Sequence, residues 1–325
     1  MSERKDGSFK GLCIGVPKRE DYDVFKQMIT EVLPRYGCNA LVLLIRYAYR
    51  FESHPEISDG WLGKEEAAEL SALCRQNGIR LIPKMNLFGH QSEKTRGSEQ
   101  GLLRVHPEFD ETPELENVRY CRSLCPRHPD VAKVVFDLAD EIIDAFGADA
   151  IHIGCDEVFE IGSCPRCKGI PNDILFADWI NTLHKHFSGE KKVEVFMWGD
   201  RFLDGEATGY GEWEASKNGT WPAIDKVSRD IIICDWHYEP RESYPSIDIF
   251  TEKGFRFVIG PWRNIEATKA LLRYAKEKKS EKLLGVLQTS WCNPGALARY
   301  LCGDESIDGV PRMVGESFKV VMDWA

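Results

Sequence analysis

The feature that limits the fold most is an alternation of apolar strand-like segments with helix-like segments along the whole chain. Eight short segments have the length and apolar character of buried strands: residues 11–16, 39–45, 79–86, 149–154, 192–198, 230–236, 255–260 and 283–291. Segments with apolar residues at helical spacing lie between them, and the clearest covers residues 131–147. The pattern is typical of an α/β protein with a parallel sheet.

This order of segments favours a (β/α)8 barrel, the TIM barrel, over a doubly wound sheet. A chain of 325 residues is long enough for one large α/β domain, and no low-complexity stretch or Pro/Gly/Ser-rich linker divides it. The sequence contains no GxGxxG or GxxxxGK[ST] phosphate loop and no GxSxG elbow. We therefore predict a single barrel domain over residues 1–325.

In a barrel of this kind, the active site lies at the C-terminal ends of the strands. Polar and aromatic residues do follow most of the predicted strands directly. From the third strand to the eighth they are His90, Asp156, Glu157, Trp198, Asp200, Trp236, His237, Tyr238, Glu239, Trp262, Trp291 and Asn293. The sequence therefore predicts a polar, aromatic-rich site at this end of the barrel.

The most informative stretch is AIHIGCDEVFE, residues 150–160, in which two neighbouring acids end an apolar run. Neighbouring side chains of a strand point to opposite faces, so a continuing strand would place Asp156 or Glu157 in an apolar layer. An unpaired charge there would be costly. We therefore expect the strand to end near Gly154, so that both acids face the mouth of the barrel.

Acids and tryptophans at one barrel end suggest a carbohydrate site. Indole rings suit the apolar faces of sugar rings, and paired acids are the usual groups of glycoside hydrolysis. Each observation also has a simpler explanation. An isolated Asp-Glu pair is more often a solvated turn or a helix cap, and a single tryptophan is as often core packing.

Several motifs together resemble glycoside hydrolase family 20, the β-N-acetylhexosaminidases. HIGCDEV resembles the family's His-x-Gly-Gly-Asp-Glu signature, and IPKMNLFGH is similar to its strand-three motif, which ends in Pro-Gly-His. FMWGD and LQTSW are similar to its tryptophan motifs on strands five and eight. The resemblance covers roughly residues 10–300, and the hexosaminidase D type is the most similar group.

The resemblance implies a retaining exo-enzyme that removes terminal β-linked N-acetylglucosamine or N-acetylgalactosamine from glycans or glycoconjugates without a cofactor. The acetamido group of the substrate would act as the nucleophile. Asp156 would orient that group, Glu157 would be the general acid and base, and Tyr238 would donate to the acetamido oxygen. The residues implied to bind or support the sugar are His90, Trp198, Trp236, Trp291 and Asp200.

The sequence departs from the family pattern at positions that usually hold sugar hydroxyls. Lys10-Gly11 stands where the family has Arg-Gly, and Asn293 replaces the acid that follows the strand-eight tryptophan. Lys10 and Asn293 are therefore candidate substrate-binding residues with altered chemistry. After strand two, LIRYAYRF replaces the family's His-Leu-Thr-Asp-Asp piece and offers Arg46 and Tyr47. The preference between gluco and galacto sugars stays open.

Charge and hydropathy exclude two classes of partner. The net charge is −10 with no basic block, which argues against nucleic acid. No apolar run approaches the ~20 residues that span a bilayer, so we expect no membrane partner. The N-terminal MSERKDGSFKG lacks the apolar core of a signal peptide, and we expect a cytoplasmic location.

The chain has 11 cysteines, and four of them form two close pairs. Cys121 with Cys125 and Cys164 with Cys167 lie in loops that neighbouring barrel units could bring together. Four thiolates would suit a structural zinc ion. Free thiols are the simpler alternative, because the spacing of the first pair differs from usual zinc motifs.

Two further functions stay open at this level. The chain could be a carbohydrate-binding barrel that has lost turnover, because fold and pocket do not guarantee activity. It could also be a glycosidase for sugars without an acetamido group. Trp213 and Trp221, in the long segment after strand five, could line either the site or an interface.

Overall fold

The computed structural model describes residues 9–324, which fold into a closed barrel of parallel strands. Each strand pairs with its sequence neighbours, and the first closes on the eighth, which confirms the barrel and excludes the doubly wound alternative. The strands are β1 (Phe9–Gly15), β2 (Ala40–Leu44), β3 (Arg80–Lys84), β4 (Ala150–His152), β5 (Glu194–Trp198), β6 (Ile232–Trp236), β7 (Phe257–Gly260) and β8 (Leu283–Thr289).

Helices surround this barrel and connect its strands. They are α1 (Tyr22–Gln27), α2 (Lys64–Gln76), α3 (Gly101–Val105), α4 (Val131–Phe146), α5 (Asn172–His184), α6 (Pro245–Glu252), α7 (Ile265–Lys278), α8 (Pro294–Leu301) and α9 (Val310–Met322). The predicted helix over 131–147 matches α4, and Gly147 ends it in the left-handed conformation with a φ of 54°. Residues 21–37 also have apolar residues at helical spacing, but the α-helix there is short, because α1 gives way to a wider π turn at Met28–Val32.

Two short helices, α3 and α8, are absent from the sequence prediction. α8 begins with Pro294 and Gly295, which indicate a turn when read locally. In the structure, Pro294 occupies the first helical turn, where its missing N–H costs nothing, and Asn293 caps the helix. The apolar face of α8 is buried, with Leu297 and Ala298 fully covered, so tertiary packing stabilises it.

The core has two layers because every strand is buried on both faces. In β2, Val42 points into the barrel interior, whereas Leu41 and Leu43 pack outward against the helices. The same alternation places Phe196 inside and Val195 outside. The barrel interior is therefore a packed layer of side chains, and any ligand site must lie at an end.

Two expectations fall partly outside the described residues. Residues 1–8 and 325 lie beyond the described part, so the predicted domain range of 1–325 and the interpretation of the polar N-terminus stay predictions. Among residues 9–324, none of the helices combines the length and the apolar character that crossing a bilayer requires.

Candidate active site

A cavity of about 580 Å³ opens at the C-terminal ends of the strands, where the sequence predicts the site. Seven of the ten predicted catalytic and substrate-binding residues line it. They are His90, Asp156, Glu157, Trp198, Trp236, Tyr238 and Trp291. Trp262, which follows β7, lines it too, so tryptophans from four strand ends form walls around the acid pair. Trp213 also lines this cavity, whereas Trp221 is exposed elsewhere.

The acid pair is held by an unusual backbone. β4 ends at His152, and the chain then turns through residues with positive φ: Gly154 at 73°, Cys155 at 66° and Glu157 at 49°. A left-handed backbone costs a residue with a side chain roughly 1–2 kcal/mol, so this turn is under local strain. The strand therefore ends slightly earlier than expected, and both acids reach the cavity.

The neighbouring turn after β3 carries the same kind of strain. His90 has a φ of 59°, and Gly89 lies so close to the acid turn that a Cβ on it would stand 2.8 Å from the Asp156 carbonyl oxygen. This close approach explains the glycine. It brings the His90 ring between the two acids, with Nε2 lying 3.2 Å from Asp156 Oδ2 and 3.2 Å from Glu157 Oε2.

The two acids have opposite protonation tendencies. Burial opposes ionisation of Asp156, but His90 and Lys84 outweigh it and hold the Asp156 pKa well below its usual range. Burial raises the pKa of Glu157, and the Asp156 charge raises it further against the effect of His90. The pKa of His90 lies well above its usual range, because the pull of Asp156 exceeds the cost of burial. This favours an ionised Asp156, a protonated Glu157 and a cationic His90.

Four buried polar atoms of the cavity residues have no hydrogen-bond partner within the described part of the chain. One is an acceptor, Asp156 Oδ1, and three are donors, Trp198 Nε1, Trp262 Nε1 and Arg241 Nε. Buried polar groups are normally paired, and ligand contacts are a common reason for exceptions. All four residues line the cavity, so the site offers one acceptor and three donors to a bound molecule.

Tyr238 presents a hydroxyl group that is arranged to donate. Its oxygen accepts from Trp291 Nε1 at 2.6 Å, whereas Thr289 Oγ1, 3.3 Å away, donates its single proton to the Pro261 carbonyl oxygen at 2.8 Å. The Tyr238 proton is therefore free to turn toward Thr289 Oγ1 or toward a ligand in the cavity. Burial raises the pKa of Tyr238 well above its usual value, which keeps the group protonated. The ring packs beside Trp236 at 4.8 Å between centroids.

Asp200 lies behind the acid pair and does not line the cavity, which corrects its predicted role in substrate binding. Its Oδ2 accepts from the Glu157 backbone N–H at 2.9 Å and from Arg201 Nε at 2.7 Å. Trp236 Nε1 donates to its other oxygen at 3.4 Å. Asp200 is therefore a positioning residue that fixes the strained acid turn and one tryptophan wall.

Lys10 and Asn293 are also wrong as substrate-binding residues. Lys10 is near the start of β1, at the opposite end of the barrel, and its Nζ donates to the Met322 carbonyl oxygen at 2.8 Å. Asn293 is exposed, and its side chain accepts from the Ala296 N–H at 2.8 Å. The chain turns into α8 directly after Trp291, so this side chain caps the helix instead of reaching a sugar.

The predicted four-cysteine cluster also needs correction. Cys125, Cys164 and Cys167 do come together, but with Glu111 as their fourth neighbour. Cys121 lies apart, beside the active site, where its sulfur accepts from the His90 backbone N–H at 3.3 Å. Only three residues lie between Cys121 and Cys125, but the Cys121 sulfur contacts the His90 turn whereas the Cys125 sulfur joins Cys164 and Cys167.

Several cavity residues are missing from the sequence prediction. Lys84 is buried at the end of β3, its Nζ donates to Asn86 Oδ1 at 2.7 Å, and it lies over the Trp198 ring. A lysine directly after the apolar run Leu81–Pro83, at the end of the strand that faces the site, is a signal that could have identified it. Glu214 and Arg241 come from irregular loops and carry no such signal.

Glu214 organises the tyrosine side of the cavity. Its Oε1 accepts from the Tyr238 N–H at 2.9 Å, and its Oε2 lies 3.0 Å from His237 Nδ1 and 3.3 Å from Arg241 Nη2. These partners outweigh the effect of burial and lower the pKa of Glu214. An ionised, fully engaged carboxylate is suited to positioning the Tyr238 backbone.

Fold and site together define a (β/α)8-barrel enzyme of the glycoside hydrolase class. Residues 37–293 match the profile described as Glycosyl hydrolase family 20, catalytic domain, which covers most of the chain. The chain belongs to glycosyl hydrolase family 20, and the resemblance inferred from its motifs is confirmed.

Individual relatives agree with this assignment. A β-hexosaminidase of Vibrio furnissii is 24% identical over 200 residues, which are 60% of this chain and 29% of that protein. Hexosaminidase D of Bos taurus is 23% identical over 140 residues, or 41% of this chain and 37% of that protein. The matched part is therefore well under half the length of either relative.

The fold itself is similar to that of solved family members. The Flavobacterium johnsoniae chitobiase superposes with a TM-score of 0.66 and 17% identity, covering 97% of this chain and 51% of that one. At this identity the likeness supports the barrel architecture alone.

Proposed function

We propose that the protein is a retaining exo-β-N-acetylhexosaminidase that uses the substrate's own acetamido group as nucleophile. The observation that carries the proposal is a pair of adjacent acids that share one histidine, with His90 Nε2 lying 3.2 Å from Asp156 Oδ2 and 3.2 Å from Glu157 Oε2. Asp156 Oδ1 has no partner among the described residues, and the pKa of Asp156 is lowered whereas that of Glu157 is raised. The substrates would be terminal β-linked N-acetylglucosamine or N-acetylgalactosamine.

The proposed first step forms a ring on the sugar. Asp156 Oδ1 accepts the acetamido N–H, and the Tyr238 hydroxyl donates to the acetamido oxygen and turns it toward the anomeric carbon. That oxygen bonds to the anomeric carbon while the glycosidic bond breaks. Glu157 gives its proton to the departing oxygen, so the leaving group departs as an alcohol. The positive charge on the cyclised nitrogen is balanced by Asp156.

The second step restores the enzyme. Water attacks the anomeric carbon from the side that the leaving group vacated, and Glu157 takes the water proton. The ring opens, the acetamido group reforms, and the sugar leaves with its original β configuration. Glu157 therefore changes from acid to base and ends protonated, as at the start. No external oxidant, reductant or cofactor enters this balance.

The placement of the other carboxylates supports this route over a protein nucleophile. A direct double displacement uses two carboxyl groups about 5 Å apart on opposite sides of the anomeric carbon. Asp200 is turned away behind the acid turn, and Glu214 is bonded to Tyr238, His237 and Arg241. Glu93 and Glu239 also line the cavity and are the remaining carboxylates to test.

We also propose that the protein works in a reducing compartment such as the cytoplasm. All eleven cysteines are free thiols, and nine of them are buried. Disulfides are rare where thiols are kept reduced, and buried free cysteines behave there as small apolar residues. Location by fractionation of native cells would test this, and recovery in an oxidising compartment would contradict it.

The function is tested with an aryl β-N-acetylglucosaminide and its galacto isomer, by following the first anomer released with proton NMR. We expect β product before mutarotation, and inhibition by a thiazoline mimic of the cyclised intermediate that exceeds inhibition by N-acetylglucosamine. Asp156→Ala should weaken inhibition by the thiazoline, whereas substitution of an exposed residue, Asp308→Ala, should leave it unchanged. Loss of all turnover in Glu239→Gln, together with a covalent sugar adduct on Glu239 of the wild-type chain, would show a protein nucleophile and contradict the proposed mechanism.

A further inference from the structure

A second group of ligand-type side chains lies away from the sugar cavity, between the segment after α3 and the segment after β4. It consists of Glu111, Cys125, Cys164 and Cys167, whose ligand atoms all lie within 4.8 Å of one another. All four side chains are buried, with exposures of 0%, 0%, 3% and 0% in that order. None of them lines the cavity described above.

The sulfur separations suit a shared ion better than a covalent bond. Cys125 Sγ lies 3.3 Å from Cys164 Sγ and 3.7 Å from Cys167 Sγ. Thiolates at ~2.3 Å from a tetrahedral zinc ion are about 3.8 Å apart, whereas bonded sulfurs are about 2.05 Å apart. A disulfide joins two sulfur atoms, so it would leave one of these three clustered cysteines without a partner.

Glu111 has one oxygen that nothing in the described residues satisfies. Its Oε1 accepts from the Ser163 N–H at 2.8 Å and the Cys164 N–H at 3.4 Å, which fixes the carboxylate beside the cysteine turn. Its Oε2 is fully buried and has no partner among residues 9–324. A buried carboxylate oxygen without a partner is costly, and a cation at the centre of the group would satisfy it.

The local sequence supports a built site. Residues 125–128 read CPRH and residues 164–167 read CPRC, so two similar turns present Cys125 and Cys164 to each other. In the second turn, the N–H groups of Cys167 and Lys168 donate to the Cys164 carbonyl oxygen at 3.0 and 2.9 Å. His128, the fourth residue of the first turn, instead packs against Phe109 at 4.7 Å between ring centroids.

We propose that Cys125, Cys164, Cys167 and Glu111 bind one structural zinc ion. Three thiolates favour zinc over the harder ions, and four protein ligands close the coordination sphere without a position for a reacting water. The ion would join the segment after α3 to the segment after β4, which are otherwise irregular chain.

The position of the ion connects it to the catalytic groups. The chain from Cys121 to Cys125 runs beside the His90 turn, where Leu124 N donates to Phe88 O at 3.0 Å and Gln91 N donates to Arg122 O at 3.1 Å. On the other side, Cys164 follows the strained acid turn by a few residues. The zinc would therefore hold together the two loops that place His90 between Asp156 and Glu157.

The test is elemental analysis of the full chain, purified without chelators or metal-affinity resin. We expect about one zinc per chain in the wild type and in the controls Cys121→Ser and His128→Ala. Cys164→Ser and Glu111→Gln should lose at least about tenfold in zinc affinity. Zinc lost in His128→Ala but kept in Glu111→Gln would overturn the ligand set, and iron in place of zinc would overturn the metal.

A second measurement on the wild-type chain decides the matter if the cysteine variants do not fold. Removing the metal with a chelator should lower the melting temperature, and added zinc should restore it, because an ion that binds only the native state stabilises it. Cobalt in the site should give intense tetrahedral bands and sulfur-to-cobalt charge transfer. Metal-free protein that melts unchanged with zinc or chelator would refute the site.

Discussion

Replacing His90 with asparagine should move the whole pH profile of hydrolysis to higher pH. Asparagine tolerates the left-handed backbone that His90 adopts, so the turn should survive. The shorter side chain removes the ring nitrogen that lies 3.2 Å from both Asp156 and Glu157. The two carboxyl groups would then face each other without the cation between them.

The direction of each limb follows from what His90 does to each acid. His90 lowers the pKa of Asp156, which must be ionised, so its loss moves the acidic limb upward. His90 also lowers the pKa of Glu157, which must be protonated, so its loss moves the alkaline limb upward as well. Both limbs should therefore shift in the same direction.

The size of the rate effect follows from the hydrogen bonds that are lost. Two charges 3.2 Å apart attract by roughly 5 kcal/mol at an effective dielectric of about 20, and solvation removes part of this. Hydrogen bonds to charged groups contribute about 1.5–3 kcal/mol net. A loss of this size in the transition state corresponds to a drop of about 10- to 10²-fold in kcat/KM at neutral pH.

The assay is kcat/KM for an aryl β-N-acetylglucosaminide across the pH range. His54→Asn is the matched control, because His54 also lies between two carboxylates, at 3.2 Å from Asp137 and 3.5 Å from Glu56, but outside the cavity. That variant should leave both limbs in place. If His90→Asn were slower but both limbs of its pH profile stayed in place, His90 would act only by shaping the backbone. Its proposed electrostatic effect on the two acids would then be wrong.

Three further outcomes are expected. Glu157→Gln should reduce turnover by about 10²-fold or more on a poor leaving group while the exposed Glu281→Gln does not, and near wild-type rates would remove Glu157 from the acid role. Tyr238→Phe should lower kcat by about 10²-fold in a chain that stays folded, because it removes a donor to the developing charge. The carboxylates of Asp235 and, to a smaller extent, Glu214 outweigh the effect of burial and raise the pKa of His237 to about 9. Protonated His237 therefore stabilises the fold fully below about pH 6.5, and this stabilisation is lost as the pH rises through about 9. Urea unfolding should show that the free energy of unfolding falls by about 3 kcal/mol between these two pH values. If the free energy of unfolding of a His237→Gln chain fell equally over the same pH range, the assignment to His237 would be wrong.

The barrel and most of the site could be predicted because both depend on local pattern. Strand order follows from the alternation of segments, and the mouth of a barrel is reached by whatever follows each strand. That reasoning places Asp156, Glu157 and the tryptophans correctly. It also anticipates the end of β4 near Gly154, since no continuous strand could accommodate two adjacent acids.

The errors concern register and long-range contact, which local pattern does not contain. Lys10-Gly11 resembles a family motif, but its place at the start of β1 puts Lys10 at the wrong end of the barrel. Asn293 is used as a helix cap because α8 starts immediately after it. The spacing of the cysteines predicts Cys121 as the fourth member of the cluster. Glu111 lies there instead, because the packing of the loops brings it close, and cysteine spacing cannot predict that contact.

The acetamido group of the substrate is the proposed nucleophile, and one pair of substrates separates this route from attack by a protein side chain. The measurement is the ratio of kcat/KM for an aryl β-N-acetylglucosaminide to that for the matching aryl β-glucoside, which has a hydroxyl group at the same carbon. Well-placed intramolecular groups reach effective concentrations of about 10⁵ M or more, so we predict a preference of at least about 10³-fold for the acetamido substrate. That preference should collapse in Asp156→Ala. Comparable values of kcat/KM for the two substrates would show that the acetamido group is not the nucleophile.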